Sequence, residues 1–190
     1  RMKEKSLAVG GYSCIDANGN RCYGSEKQDD GILDGVSIHP LQFMEDLFSN
    51  SHMYQGYLWN KIFDASLIRE KQLHFDEYIS YNEDRLFVFS YLLHCHAVSY
   101  SNIPVYYYYL ALEPRKNYKK NYITEIDAFQ IMCRELYRRR WISPCYYALT
   151  DELRAINELL PLAISADSLD FRRLNRLEKR VRQCLQAIRF

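Results

Sequence analysis

The pattern of apolar and polar positions predicts strands and short helices in the first part of the chain. Residues 7–15 are small or apolar and predict a strand, and the Asn-Gly pair within 16–20 predicts a tight hairpin turn after it. Pro40 is expected to open a helix that runs to about Phe48 with apolar residues on one face. Asp64 is the expected N-cap of a further short helix over 65–70. These elements alternate in the manner of an α/β domain.

A buried helix is predicted in the middle of the chain. Residues 80–83 read Ser-Tyr-Asn-Glu, which is the spacing of a capping box, so a helix is expected to begin near residue 81. From residue 86 to 93 only Ser90 interrupts the apolar and aromatic residues, so this helix is expected to be covered on nearly all sides. Two strands, 97–100 and 105–109, are expected to follow, separated by a turn around Pro104. The tyrosines of 106–109 are expected to place one pair of rings in the core and the other beside a cleft.

Apolar residues at steps of three and four predict three amphipathic helices after residue 120. Pro144 and Pro161 are expected to separate these helices. Polar, glycine-flanked residues 24–35 predict a surface loop. The fold class is therefore α/β: a mixed sheet with flanking helices in residues 1–115, followed by a C-terminal helical region in residues 116–190.

The chain has almost no net charge. The 190 residues contain 25 Lys and Arg against 24 Asp and Glu, a formal net charge of +1, so no nucleic-acid partner is expected. Basic residues concentrate in the last predicted helix, where a solvated face is the ordinary interpretation and contact with an anionic membrane is the specific one. A signal peptide and a long apolar run are not recognised, so the expected location is the cytoplasm, with peripheral contact at the inner face of the membrane. The six cysteines lack the two-residue gap of zinc and redox motifs and are expected to be reduced.

The acidic pair Glu83-Asp84 is the strongest candidate for chemistry. It lies in the first turn of the predicted buried helix, where the helix dipole and unpaired amides favour an anion. A positioned carboxylate can take a proton from a substrate hydroxyl. The alternative is that both carboxylates only cap the helix. For His94 and His96, which could face one way and bind a metal, a structural role is favoured because no further ligand pair has a suitable spacing.

Four segments, taken together, resemble the second half of the bacterial family 2 glycosyltransferases that build capsular and cell-wall polysaccharides. In order they are GYLWNKIF at 56–63, LHFDE at 73–77, YNEDRLF at 81–87 and IPVYYYY at 103–109. The resemblance extends over roughly residues 7–115, which would then be the acceptor-side half of a domain with the GT-A fold. It also implies that the partners are a nucleotide-sugar donor and a saccharide or lipid-linked acceptor.

The same resemblance implies roles for six residues. Asp84 would be the general base for an inverting displacement, and Glu83 would orient it or bind the acceptor. Trp59 and Asn60 would line the sugar site, and Lys61 would meet the diphosphate. Family members often have an arginine after the tyrosines, where this chain has Leu110, and Arg115 would replace that contact.

The chain departs from the family in lacking the metal-binding Asp-any-Asp motif and the nucleotide-binding first half. It is therefore expected to be a fragment of an inverting glycosyltransferase, inactive alone, whose parent enzyme uses Mg or Mn. The alternative is a non-catalytic interaction module that binds a protein partner or an anionic membrane through its basic helices.

Overall fold

The computed structural model describes residues 5–24, 37–48, 56–109 and 117–188. The chain divides into two compact units, the first made of Arg1–His74 and Phe87–Glu113 and the second of Phe75–Leu86 and Pro114–Phe190. Residues 25–35 of the predicted surface loop, which is 24–35, lie outside the described residues, as does Arg115. The segment Phe75–Leu86, which carries Glu83 and Asp84, is grouped with the second unit.

The first unit contains a mixed sheet, which confirms the predicted α/β class. The five strands described are β1 (Ser6–Ile15), β2 (Arg21–Gly24), β3 (Ser37–Ile38), β4 (Lys61–Phe63) and β5 (Ala97–Tyr109). The central strands, β1 and β5, are parallel, and the strand order is β2-β1-β5-β3. The short β4 pairs antiparallel with the first half of β1, whereas β2 pairs antiparallel with the last residues of β1.

The hairpin between β1 and β2 forms where the sequence predicts it. The Asp16 carboxylate accepts hydrogen bonds from the backbone N–H groups of Asn18 and Asn20, at 2.9 and 2.8 Å. Gly19 has a φ of +82°, a left-handed conformation that glycine adopts without steric cost. Local side-chain acceptors and one glycine therefore fix this turn.

The predicted turn around Pro104 is wrong, because β5 is one continuous strand. In its pairing with β1, Val9 lies opposite Tyr100 and Gly11 lies opposite Pro104. Residues 101–103 therefore lie opposite Gly10 alone, so the ladder has two extra residues directly before Pro104, and such an irregularity tolerates a proline that has no N–H to donate. The expected core pair among residues 106–109 is also wrong, since all four tyrosines are exposed.

Helices cover the sheet of the first unit largely as predicted. The α1 helix (Pro40–Phe48) begins at its proline and buries five of its residues. The α2 helix (Ala65–Lys71) is capped by Asp64, whose carboxylate accepts the Ser66 N–H at 2.8 Å. The α3 helix (Glu83–Leu92) is buried along residues 86–89, as expected. The Tyr91 hydroxyl ties α3 to its neighbours, since it donates to the Ser6 carbonyl at 2.8 Å and accepts the Asp64 N–H at 2.9 Å.

The second unit contains the three predicted amphipathic helices, α4 (Ile123–Arg138), α5 (Ile142–Ser165) and α6 (Asp170–Ala187). Pro144 lies in the first turn of α5, where a missing N–H costs no helical hydrogen bond. Pro161 lies inside α5 and does not end it, so its expected role as a separator is wrong. Buried residues on both sides of Pro161, such as Leu159 and Ala163, stabilise the helix through packing that outweighs one lost bond. No helix in the described part of the chain combines the length and apolar character that crossing a bilayer requires.

Candidate functional site

The most distinctive site of the first unit is a group of aromatic rings around Trp59. The indole stacks on Tyr106 with ring centroids 4.4 Å apart, on Tyr57 at 4.9 Å and on Tyr108 at 5.5 Å. Interplanar angles of 9–23° make these contacts nearly parallel. Tyr12, which is fully buried, meets the edge of the indole at 5.1 Å. We call these five rings the aromatic cluster.

The sheet explains why these rings meet. Side chains two positions apart on a strand share a face, so Tyr106 and Tyr108 of β5 lie on the same side. Tyr12 of β1 lies opposite Tyr106 in the parallel register, which places it on the same face of the sheet. Tyr106 and Tyr108 keep 38% and 36% of their surface exposed. The cluster thus has a buried base and an accessible outer rim.

Asn60 and Lys61 fix the turn that carries Trp59. The Asn60 carbonyl accepts the Gly10 N–H at 2.8 Å, and its side-chain Nδ2 donates to the Gly10 carbonyl at 3.1 Å. The Lys61 ammonium donates to the Tyr57 carbonyl at 2.6 Å and to Asn60 Oδ1 at 2.9 Å. Because Asn60 and Lys61 are only 2% and 9% exposed, these bonds hold Trp59 in place from inside the unit.

Gly10 of β1 permits a close approach to Val105 of β5. A Cβ atom at Gly10 would lie 2.4 Å from Val105 Cγ2, closer than carbon atoms tolerate, and 3.1 Å from Cγ1, which is a tight contact. The absence of a side chain therefore lets Gly10 contact Val105 and exchange two hydrogen bonds with Asn60.

Glu83 and Asp84 occupy the first turn of α3, as the sequence predicts, and both are half-buried. The predicted capping box is wrong, because α3 begins at Glu83 and Ser80 does not cap it. Instead, the N–H groups of Ser80 and Tyr81 donate to Thr124 Oγ1 at 3.1 and 3.2 Å. The helix is preceded by Asn82 in a left-handed conformation with a φ of +68°.

Arg85 follows the acidic pair and is fixed within the second unit. Its guanidinium donates to the carboxylate of Asp151, which is 7% exposed, and lies 5.5 Å from the ring centroid of Phe129. Arg154 donates to the other oxygen of the same carboxylate at 2.5 Å. Sequence reasoning missed the pairing of Arg85 with Asp151, because these two residues are 66 positions apart and no local pattern links them.

The described residues do not fit a metal site. No group of three or more His, Cys, Asp or Glu side chains within 5–24, 37–48, 56–109 and 117–188 is placed to hold a metal ion. The Mg or Mn ion that the resemblance implies stays a prediction.

Comparison with models of known protein families finds no match to this chain, and comparisons with curated proteins and with solved structures find none either. The resemblance to family 2 glycosyltransferases therefore depends on the four sequence segments alone. A functional assignment has to be argued from the residues of the site.

Proposed function

We propose that this chain is the acceptor-side half of an inverting, GT-A-type glycosyltransferase of cell-surface polysaccharide synthesis. The parent enzyme would transfer a sugar from a nucleotide-sugar to a saccharide or lipid-linked acceptor, with Mg or Mn supplied by its other half. The observation that supports this proposal is the aromatic cluster, in which two of the four segments of the resemblance, 56–63 and 103–109, contribute Tyr57, Trp59, Tyr106 and Tyr108 to one place.

The chemistry of the cluster suits a saccharide. Aromatic side chains offer apolar faces to the C–H groups of a sugar ring, and tyrosine hydroxyls add hydrogen bonds at the rim. Asn60 and Lys61 hold the Trp59 turn through buried bonds, so the platform exists before a ligand arrives, and this lowers the ordering cost of binding. Asn60 and Lys61 thus act as positioning residues in the first unit, and direct contact of either with sugar or diphosphate stays a prediction.

Asp84 is proposed as the general base of the transfer. Its carboxylate takes the proton from the acceptor hydroxyl while that oxygen bonds to the anomeric carbon of the donor. The nucleoside diphosphate leaves from the opposite face with the electron pair of the broken bond, so the configuration at that carbon inverts. Glu83 orients the base or binds the acceptor. The position of Asp84 at a helix start favours the ionised carboxylate, which is the form that a base requires.

Tryptophan fluorescence tests saccharide binding by this chain without the donor half. The chain contains two tryptophans, so Trp141→Phe leaves Trp59 as the single reporter. Methyl glucoside, methyl galactoside and N-acetylglucosamine are the probes, and a saturable change in Trp59 emission with at least one of them is expected. Tyr106→Ala in the same background should weaken that change, whereas Tyr137→Ala, an exposed tyrosine outside the cluster, should not. A flat titration with all three sugars up to their solubility limits would remove the support that the cluster gives to the proposal.

A second candidate function is a non-catalytic interaction module. The basic surface of α6 favours it, since Arg172, Arg176, Lys179 and Arg180 are all exposed. Insertion of the apolar stripe of α6 into a membrane has no support, because Leu174, Leu177 and Val181 are buried. Contact with anionic headgroups at the cytoplasmic face would therefore have to come from the arginines.

A further inference from the structure

A pocket on α6 is lined by three arginines. Arg173, Arg176, Arg180 and Leu177 line an open pocket of about 370 Å³. Residues three and four apart on a helix lie on the same face, so the three arginines share one face of α6. Leu177 is only 8% exposed, so the lining combines three cations with one buried apolar side chain. Clustered cations of this kind attract an anion.

The acidic residues of α6 do not neutralise this cluster. Glu178 pairs with Arg182 at 2.9 Å. Asp170 accepts hydrogen bonds from the Tyr118 hydroxyl at 2.8 Å and from the Ser168 hydroxyl at 3.3 Å.

Of the three arginines in the pocket, only Arg173 has an acidic partner among the described residues, namely Asp127 of α4. Arg176 and Arg180 are exposed and have none in that part of the chain. Like charges four residues apart on a helix repel each other, so Arg176 and Arg180 disfavour the helix unless an anion lies between them.

The pairing of Arg173 also shapes the pocket. One of its terminal nitrogens donates to Asp127, which fixes the guanidinium relative to α4. A fixed guanidinium beside two exposed ones offers several N–H donors to one ligand. Guanidinium groups bind phosphate oxygens in pairs, and this geometry distinguishes phosphate from a simple counter-ion.

We propose that this pocket is a binding site for phosphate groups, as found in a diphosphate or in the headgroup of an anionic phospholipid. The site is independent of the proposed glycosyl transfer, because it includes neither a residue of the aromatic cluster nor Glu83 or Asp84. In this proposal, three arginines of α6 bind the anion, and the other basic residues of the helix do not.

The test compares two double variants of the full chain that lose the same charge. Arg176→Gln with Arg180→Gln removes two arginines of the pocket, whereas Arg172→Gln with Lys179→Gln removes two exposed positive charges of α6 that do not line it. Calorimetry measures binding of inorganic diphosphate. Flotation measures binding to phosphatidylcholine vesicles with and without phosphatidylglycerol. Both are done at low ionic strength and at about 0.15 M salt, where general attraction between exposed charges is screened.

The expected result is that the pocket variant loses about tenfold or more in affinity for at least one phosphate probe, because two charge-assisted hydrogen-bonding groups are gone, while the control changes by less than about threefold. Binding of diphosphate would identify a soluble ligand, and binding confined to phosphatidylglycerol vesicles would identify a lipid source; each supports the site. Arg176→Lys with Arg180→Lys should bind more weakly than the unchanged chain, since lysine lacks the paired donors. Failure to bind either probe, or an equal loss in both double variants, would overturn the proposal.

Discussion

Replacing Gly10 with alanine is expected to destabilise the first unit and disturb the aromatic cluster without changing any ring. Gly10 exchanges two backbone-directed hydrogen bonds with Asn60, which adjoins Trp59 in the same turn. The added methyl group would lie 2.4 Å from Val105 Cγ2, 3.1 Å from Cγ1 and 3.3 Å from Cβ. Since carbon atoms pack best about 3.5–4.0 Å apart, all three distances are too short.

The loss of stability expected for Gly10→Ala depends on how easily Val105 can move away from the added methyl group. Branching at Cβ restricts the χ1 rotamers of Val105, and its Cβ already lies 3.3 Å from the added methyl group, so side-chain rotation alone does not relieve the overlap and the backbone must shift. Overpacking of this kind costs about 1–3 kcal/mol in the free energy of unfolding. Val105→Ala alone should cost little, because Val105 is exposed and surface substitutions usually stay within about 0.5 kcal/mol. In the double variant both Cγ atoms are gone, so we expect most of the loss to be recovered.

Urea unfolding of the unchanged chain, both single variants and the double variant completes a double-mutant cycle. The expected coupling energy is about 1–2 kcal/mol in the direction that relieves Gly10→Ala. Trp59 emission in a Trp141→Phe background should shift with Gly10→Ala and return in the double variant. A Gly10→Ala variant as stable as the unchanged chain, or a coupling energy near zero, would refute the packing argument around the cluster.

Two further predictions concern the second unit. Burial raises the pKa of Glu152 from 4.5 to about 7, so the folded chain holds this proton more tightly than the unfolded chain. Stability should therefore fall by about 3 kcal/mol as the pH rises from 4.5 to about 7, and urea unfolding of Glu152→Gln should show the loss of this dependence. Asn82 adopts a left-handed conformation before α3, so Asn82→Ala should cost about 1–2 kcal/mol and Asn82→Gly much less, as measured by thermal unfolding. Equal melting temperatures for these two variants would contradict the conformational argument.

Elements that depend on local sequence were predictable. The hairpin at 16–20, the start of α1 at Pro40 and the Asp64 cap of α2 each follow from residues within a few positions of one another. The three C-terminal helices follow from apolar periodicity, which reports a buried stripe whatever it packs against. Pro161 shows the limit of this reasoning, because packing inside the second unit outweighs a local helix breaker.

Features that depend on partners distant in sequence were not predictable. The continuity of β5 through Pro104 depends on its parallel register with β1, some 90 residues earlier. The N–H groups of Ser80 and Tyr81, which precede α3, donate to the hydroxyl of Thr124, a partner that no local pattern indicates. The sequence marked Trp59 as a candidate, but its stacking with Tyr106 and Tyr108 required the sheet to bring them together.

The central claim is that Asp84 is the general base of a glycosyl transfer, and the Asp84→Asn variant of the full-length enzyme tests it most directly. Asparagine keeps the size of the side chain but cannot accept a proton. Transfer should therefore fall by about 10²- to 10⁴-fold, or roughly 3–5 kcal/mol in the barrier, while the melting temperature changes little. Glu83→Gln, measured alongside, separates the base from its neighbour. A stably folded Asp84→Asn enzyme with normal turnover would contradict the claim.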